Sequence, residues 1–357
     1  MAGKTRAVSP KAMLQAAQAA DIRALAALVA AGGDLNASWR QYRPLHALIQ
    51  TKPHAEATTP SSSQLECFRW MLAHGADPEQ HGAWPESRAL LVAAFWGARE
   101  YVDILIDYGA RIDVFVSAAF GDAKAVTRAL KNDAGVGTIR DSGGVTVLQC
   151  AAASRLWRDD AAVKAGLMEV TTRLLDAGAD PHASTRSWGH DVDAVYFAAS
   201  SNHLELFAQL LARGADATRA LTPALWNGGK AFAAFGDVAL AHGADVNRAV
   251  ASGRPLLNDL IRWGQFGPAR WLLEHGADPN RAQGDDLRDA DGTLSTTAGW
   301  TALHHAASRG NAKMVETLLA VGADPARRDR EGRTPLDIAR AAPLKALIKK
   351  ARGIMHR

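Results

Sequence analysis

The sequence is poor in cysteine and contains no long apolar run. Cys67 and Cys150 are the two cysteines of a 357-residue chain, which excludes a disulfide framework and favours a reducing, cytoplasmic compartment. No uncharged apolar segment reaches the roughly 18 residues that a membrane-spanning helix needs, so we expect no membrane association. A secretory signal needs a continuous apolar segment, whereas charged and polar residues interrupt the Ala-rich stretch that follows residues 1–10.

Catalytic and cofactor-binding motifs are missing as well. The segment Asn227–Lys230 contains two glycines and a lysine but lacks the spacing of a phosphate-binding loop. Asp289–Gly292 resembles part of a calcium loop, yet its twelfth position is Ala298, which leaves open only an irregular cation site. His304 and His305 are adjacent, so on a helix they point in different directions. We therefore expect no enzyme activity, no cofactor and no bound metal.

A repeated tripeptide is the dominant feature of the chain. Gly-Ala-Asp, or a near copy of it, follows an apolar segment eight times. The steps between copies run from 29 to 46 residues, with one longer step of 69 that spans a degenerate copy near Asn132–Gly135. A period of about 33 residues indicates a repeat architecture. The first glycines are Gly32, Gly75, Gly109, Gly178, Gly214, Gly243, Gly276 and Gly322.

Residues 300–324 show the physics of one repeat. Thr301 is placed to cap a short helix, because its hydroxyl can accept a free backbone N–H. Gly310 marks a turn, and a second helix follows with apolar residues at helical spacing. Gly322 ends that helix, since glycine adopts the left-handed conformation of a helix C-terminus without strain. The residues expected to face inward are Leu303, Ala306, Ala307, Val315, Leu318 and Leu319.

This pattern resembles the ankyrin repeat family. The family's Thr-Pro-Leu-His start is matched by Arg43–His46, Thr301–His304 and Thr334–Asp337. The resemblance implies an all-α solenoid over residues 11–352, with about nine full repeats, a shortened C-terminal capping repeat and short β-turn finger loops. Residues 1–10 and 353–357 would be tails. It also implies that His46 and His304 are structural residues that hydrogen-bond backbone between repeats.

Three insertions interrupt the period, near residues 51–63, 154–165 and 283–299. In a solenoid such insertions form loops, often on the binding side; tolerated drift is the alternative, since longer surface loops cost little closure entropy. Ser63 with Glu66 predicts a capping box after the first insertion. An enzymatic site built within 283–299 is a further alternative.

Family membership implies protein–protein recognition by a non-catalytic, monomeric scaffold, through a concave groove and the finger loops. Aligning the repeats on Gly-Ala-Asp places four aromatic residues at the positions of His305 and Arg309, at the groove. Four tryptophans fall in or beside finger loops. Packing between helices is the alternative role for several of these rings. The predicted partner-binding residues are Trp96, Phe197, Trp226, Trp263, His305, Arg309, Trp39, Trp84, Trp188 and Trp300.

The basic C-terminus has two interpretations. Residues 327–357 hold ten Lys or Arg and three Asp or Glu, whereas the whole chain has a net charge of +4. Lysines alternate there with Leu344, Leu347 and Ile348, which predicts an amphipathic helix that caps the last repeat. Binding to nucleic acid or to an acidic partner is the alternative, weakened by the lack of interleaved aromatics.

Composition also bears on the biological setting. Arginine outnumbers lysine 30 to 11 and alanine is abundant, which indicates a GC-rich bacterial source. An exported effector or immunity-type protein that binds a host or competitor protein is therefore the alternative to a cytoplasmic adaptor. The same binding chemistry would serve both roles.

Overall fold

The computed structural model describes residues 8–50, 59–82, 86–187, 190–250, 253–284, 286, 288 and 293–355. The chain folds into two compact units, residues 1–215 and 216–357. Both are mostly helical, which confirms the predicted helical class. The helices of the described residues follow one another as ten consecutive pairs.

The first unit contains six helix pairs. Within it the first helices pack on one another in series, α1 on α3, α3 on α5, α5 on α7, α7 on α9 and α9 on α11. Among the second helices, α4 packs on α6, α8 on α10 and α10 on α12. The helices are α1 (Pro10–Gln18), α2 (Ile22–Ala30), α3 (Pro44–Ile49), α4 (Ser62–Ala73), α5 (Ala89–Trp96), α6 (Arg99–Asp107), α7 (Val114–Ala119), α8 (Ala123–Asn132), α9 (Val147–Ala153), α10 (Ala161–Asp176), α11 (Ala194–Ser200) and α12 (Leu204–Ala212).

Short antiparallel hairpins lie between helix pairs of the first unit. Strand β1 (His81–Gly82) pairs with β2 (Ser87–Arg88), and β3 (Thr185–Ser187) pairs with β4 (His190–Val192). Single bridges join Trp39 to Tyr42 and Arg140 to Thr146. All four precede the first helix of a pair, where the repeat pattern predicts a finger loop.

The second unit contains four helix pairs. Here α15 packs on α17 and α17 on α19, while α14 packs on α16 and α18 on α20. Single bridges join Ala249 to Pro255 and Arg288 to Leu294. The helices are α13 (Ala217–Asn227), α14 (Phe232–Ala241), α15 (Leu256–Arg262), α16 (Phe266–Glu274), α17 (Ala302–Arg309), α18 (Ala312–Ala320), α19 (Pro335–Ile338) and α20 (Ala342–Met355).

Asparagine side chains link successive loops. Asn280, two residues after a Gly-Ala-Asp motif, donates from Nδ2 to the Gly322 carbonyl at 2.9 Å. Its Oδ1 accepts the backbone N–H of Asp324 at 2.7 Å. Asn36 and Asn247 make the same pair of bonds to the following glycine and aspartate. One side chain therefore satisfies a carbonyl and an N–H at the next helix C-terminus, where both lack helical partners.

The third residue of several first helices bridges to the next loop. His304 accepts the Thr301 N–H at Nδ1 (3.1 Å), so its Nε2–H donates to the Arg333 carbonyl (3.2 Å). The ring of His46 lies likewise 3.0 Å from the Ser87 carbonyl through Nε2. The predicted structural role of both histidines is confirmed.

Amide side chains replace histidine at the same helical position in two other repeats. Gln149 donates to the carbonyls of Ala183 and Val192 at 2.8 and 3.2 Å. Asn258 donates to those of Arg281 and Trp300, both at 3.1 Å. A buried N–H donor is therefore what the position requires, and several side chains can supply it.

Helix boundaries differ slightly from the sequence prediction. Helix α1 begins at Pro10, which supplies a fixed φ at its start, and α20 continues to Met355. The capping box of α4 uses Ser61 and Gln64 rather than Ser63 and Glu66, so the predicted register was wrong. In α20, Leu344 and Ile348 are buried and Lys345 is exposed, as an amphipathic cap requires.

Candidate partner-binding surface

Three of the ten residues predicted to contact a partner lie in the interior. Phe197, Trp300 and His305 are 2%, 9% and 3% exposed. Trp300 donates from Nε1 to the buried Asp329 carboxylate at 3.1 Å, and its ring lies edge-on to His305 at 5.0 Å. A buried ring offers almost no area to a partner, so these residues act as packing residues in this conformation. That is the alternative role that the sequence left open.

His305 is held neutral. Its Nε2 lies 3.1 Å from Oε1 of Gln283. Burial, together with the smaller effect of the nearby positive charges of Arg262, Arg254 and Arg309, lowers its pKa to about 3. A neutral ring at this depth supports the helix packing beneath the exposed ends of α15 and α17.

Trp96, at the end of α5, is half-buried against the second insertion. The insertion turns back as a 3-10 helix, Leu156–Asp159, and the Arg155 N–H donates to the Ala94 carbonyl at 3.0 Å. The Arg155 guanidinium donates to the Ser200 carbonyl at 2.7 Å and lies 5.9 Å from the centre of the Trp96 ring. Burial lowers the pKa of Arg155 to about 10. Residues 154–165 therefore pack on the first helices of this unit.

Trp39 is the first residue of a tight turn. It pairs with Tyr42 across Arg40 and Gln41, whose φ angles are 51° and 69°. The Arg40 guanidinium and the Lys11 ammonium lie 4.6 and 5.5 Å from its ring centre. Two left-handed residues in succession match the twist of a hairpin, and the tryptophan ends up half-buried between two cations.

Trp263 is the most exposed of the described tryptophans, at 59%. It is the C-terminal cap residue of α15, and the Arg262 guanidinium lies 5.3 Å from its ring centre. Arg309, exposed at the end of α17, donates from Nη1 to the Arg262 carbonyl at 2.6 Å. The Arg309 guanidinium also lies 6.0 Å from the centre of the Phe266 ring.

We call these residues the α15–α17 patch: Arg262, Trp263, Gly264, Phe266 and Arg309. Gly264 has a φ of +81°, and a Cβ there would approach Nη2 of Arg309 to 3.0 Å. Alignment of the repeats predicted Trp263 and Arg309 as partner-binding residues but did not predict Gly264 or Phe266. Gly264 could have been identified from its alignment with Gly310, since both glycines follow the end of a first helix.

The remaining predicted residues are less informative. Trp226 is half-buried near the end of α13. Trp84 and Trp188 lie outside the described residues, as does much of the first insertion. The ends of the third insertion are held together, because the Gln283 N–H donates to the Trp300 carbonyl at 2.8 Å and its side chain donates to the Thr297 carbonyl at 2.5 Å.

Metal sites and membrane-spanning helices are two other features to consider. Across the ranges that the structure describes, no group of three or more His, Cys, Asp or Glu side chains is placed to hold a metal ion. None of the helices described there is both long enough and apolar enough to cross a membrane.

Comparison with known proteins places part of the chain in a family context. Residues 272–339 match the family model for ankyrin repeats in many copies. The chain is similar to the mouse 2-5A-dependent ribonuclease (35% identity, covering 27% of this chain and 11% of that protein). It is also similar to the human mitochondrial disaggregase (30% identity, 53% of this chain and 25% of that protein). The chain thus spans a quarter or less of these relatives.

A third curated relative and one solved structure are also similar to parts of the chain. The Drosophila melanogaster E3 ubiquitin-protein ligase Ufd4 is 36% identical over 28% of this chain and 3% of its own length. The crystal structure of the human ASB11 ankyrin repeat domain aligns with 68% of this chain and 98% of that domain, at 20% identity and a TM-score of 0.48.

Proposed function

We propose that the chain is a non-catalytic scaffold that binds a protein partner, and that the α15–α17 patch is its main contact in the second unit. Ankyrin repeats are generally protein-interaction modules. The observation that carries the proposal is Trp263, a large aromatic side chain that is 59% exposed and lies against the Arg262 guanidinium, next to the carbonyl that Arg309 binds. Tryptophan and arginine are enriched at the energetic centres of protein interfaces. A rigid tryptophan ring buries a large area at low entropic cost.

The geometry favours this patch over a longer groove. Arg309 is already fixed by its bond to the Arg262 carbonyl, so little side-chain freedom remains to be lost on binding. Phe197 and His305 are not part of the proposed surface, since both are buried. The partner should present an apolar side chain to Trp263 and a carboxylate to the arginines. Trp39, flanked by cations on its finger loop, is a secondary contact in the first unit.

The test is affinity capture from lysate of the source cells with matched baits. The baits are the wild type, Trp263→Ala, Arg309→Ala and the control Val321→Ala, which removes another exposed apolar side chain of the same unit. Far-UV circular dichroism first establishes that all four are folded. Any captured protein is then purified and its affinity measured by calorimetry.

A partner that binds the wild type and Val321→Ala, and loses at least about tenfold in affinity to Trp263→Ala and to Arg309→Ala, supports the proposal. A partner that binds all four baits equally contradicts the patch. Absence of any partner contradicts the role in the source cell. A secretion assay of the tagged protein then tests the exported effector or immunity-type alternative, which uses the same surface on a different target.

A further inference from the structure

A cleft is present on the second helices of the first unit. It lies between α8 and α10 and has a volume of about 420 Å³. Three cations of α8 occupy one wall. The lining residues are Ala123, Lys124, Thr127, Arg128, Lys131, Glu169 and Arg173.

The three α8 cations form no ion pair with a carboxylate among the described residues. Lys124, Arg128 and Lys131 are exposed and lie four and three residues apart, so they share one face of the helix. Within the part of the chain that the structure describes, no ion pair or hydrogen bond involves their side-chain nitrogens. The fourth cation, Arg173, is paired with Glu169 at 3.2 Å. The cleft therefore carries a local excess of three positive charges.

Neighbouring acidic groups are committed elsewhere. Asp122 caps α8 by accepting the Ala125 N–H at 2.9 Å, and Asp133 accepts the Gly135 N–H at 2.8 Å. Other cations of these second helices have partners: Arg99 with Asp160, Lys164 with Glu205 and Arg213 with Asp176. The α8 face thus differs from the surface around it, where cations and carboxylates are paired.

We propose that the α8–α10 cleft binds an acidic, extended segment of a protein partner. Successive cations on α8 are separated by about 4.5 to 6 Å along the helix axis. Alternate side chains of an extended peptide repeat at about 6.6 Å, so carboxylates two residues apart can face Lys124 and Arg128 together. The lining contains no aromatic side chain on which nucleobases could stack, which favours a peptide over single-stranded nucleic acid.

This surface is independent of the α15–α17 patch. It belongs to the first unit and to second helices, whereas the patch belongs to the second unit and to the ends of first helices. Substitutions in one are therefore not expected to alter ligand binding at the other. The proposed function and this inference can fail separately.

The test measures fluorescence anisotropy of a labelled Glu-Ser repeat peptide at low salt. A Gln-Ser peptide of equal length controls for charge, and a short oligo-dT strand tests nucleic acid. The protein samples are the wild type, a triple variant Lys124→Glu/Arg128→Glu/Lys131→Glu, and a matched control Lys345→Glu/Lys349→Glu/Lys350→Glu on α20. Both triple variants change the net charge by the same amount. Arg128→Gln serves as a mild variant in case the triple α8 variant unfolds.

We expect the Glu-Ser peptide to bind the wild type and the α20 variant, and to bind the α8 variant at least about tenfold more weakly. Arg128→Gln should weaken binding by about twofold to fivefold. Equal loss in both triple variants would show a bulk charge effect and overturn the proposal. It is also overturned if the wild type does not bind the peptide, or if oligo-dT binds more tightly through the same three side chains.

Discussion

Arg309 and Arg262 are joined by a hydrogen bond from a guanidinium Nη1 to a backbone carbonyl, at 2.6 Å. The bond connects the last residue of α17 to the last residue of α15. Trp263 follows that carbonyl directly, so its backbone is held at the point where its side chain leaves the fold. An exposed aromatic on a fixed backbone is a preorganised contact.

Truncation of two tryptophans of the second unit should affect stability to very different extents. Trp271→Ala should lower the free energy of unfolding by about 3 to 5 kcal/mol, because this ring is 5% exposed and donates to Asp237 at 3.2 Å. Trp263→Ala should change it by less than about 0.5 kcal/mol, since most of its ring already contacts water. Urea unfolding of both variants measures the difference; equal losses would show that Trp263 is a packing residue.

The asparagine links between loops should contribute measurably to stability. Asn280→Ala removes the bonds to the Gly322 carbonyl and the Asp324 N–H, and should cost about 1 to 3 kcal/mol. Asn132→Ala is the control, because Asn132 is exposed and its side chain makes no hydrogen bond in the described structure. Thermal unfolding compares the two. Similar midpoints for both variants would contradict a structural role of the link.

Acid should destabilise the fold through its buried histidines. Burial lowers the pKa of His46 from 6.5 to about 4, and nearby Arg43 and His81 act in the same direction, although the bond to the Ser87 carbonyl opposes them. The unfolded chain therefore binds this proton first as pH falls, and stability present above pH 6.5 is lost between 6.5 and about 4. The loss for this residue is up to about 3 kcal/mol.

Glutamine at position 46 offers the matched test, because Gln149 already donates to loop carbonyls from the equivalent position. His46→Gln should leave stability at pH 7 nearly unchanged and reduce its decline toward pH 4, measured by denaturant unfolding across that range. Part of the decline should remain, since burial also lowers the pKa of His203 to about 4. An unchanged pH profile would contradict the assignment.

Two glycines in the second unit should separate helix propensity from packing. Gly236→Ala should destabilise by about 1 to 3 kcal/mol, because the added Cβ would lie 2.6 Å from the Trp271 ring. Gly267→Ala should stabilise by up to about 1 kcal/mol, since its Cβ would meet Phe232 at an ordinary 3.6 Å. The midpoints of thermal unfolding of the two variants measure these effects. Stabilisation by both substitutions would mean that helix propensity alone sets the effect.

Local rules explain which features the sequence could predict. The caps at Thr146 and Thr301 and the bridging roles of His46 and His304 depend on neighbours close in sequence or on the repeat itself. The same holds for the left-handed glycine that follows eight of the ten described second helices. The capping box of α4 shows the limit of such rules. Two serines each have a suitable partner three residues later, and the helix starts at the earlier one, which adds two residues to it.

Several predicted site residues are covered by insertions, and the repeat period of the sequence does not predict such contacts. Alignment placed His305 on the side of a helix that faces the groove, but Gln283, from the start of an insertion, covers it. Arg155, from another insertion, likewise lies against the ring of Trp96 and leaves it half-buried. The sequence identified both insertions, yet their packing depends on tertiary contacts distant in the chain. Trp263 and Arg309 remained exposed because no inserted segment of the described structure packs over them.

Site-specific photo-cross-linking from position 263 tests the central claim most directly. A photoreactive phenylalanine analogue replaces Trp263 in one sample and the exposed Val321 in another, and both are irradiated in cells of the source organism. We predict a discrete protein adduct from position 263, lost when Arg309→Ala is added, and none from position 321. Adducts only from position 321, or from neither position, would contradict a partner-binding surface at the ends of α15 and α17.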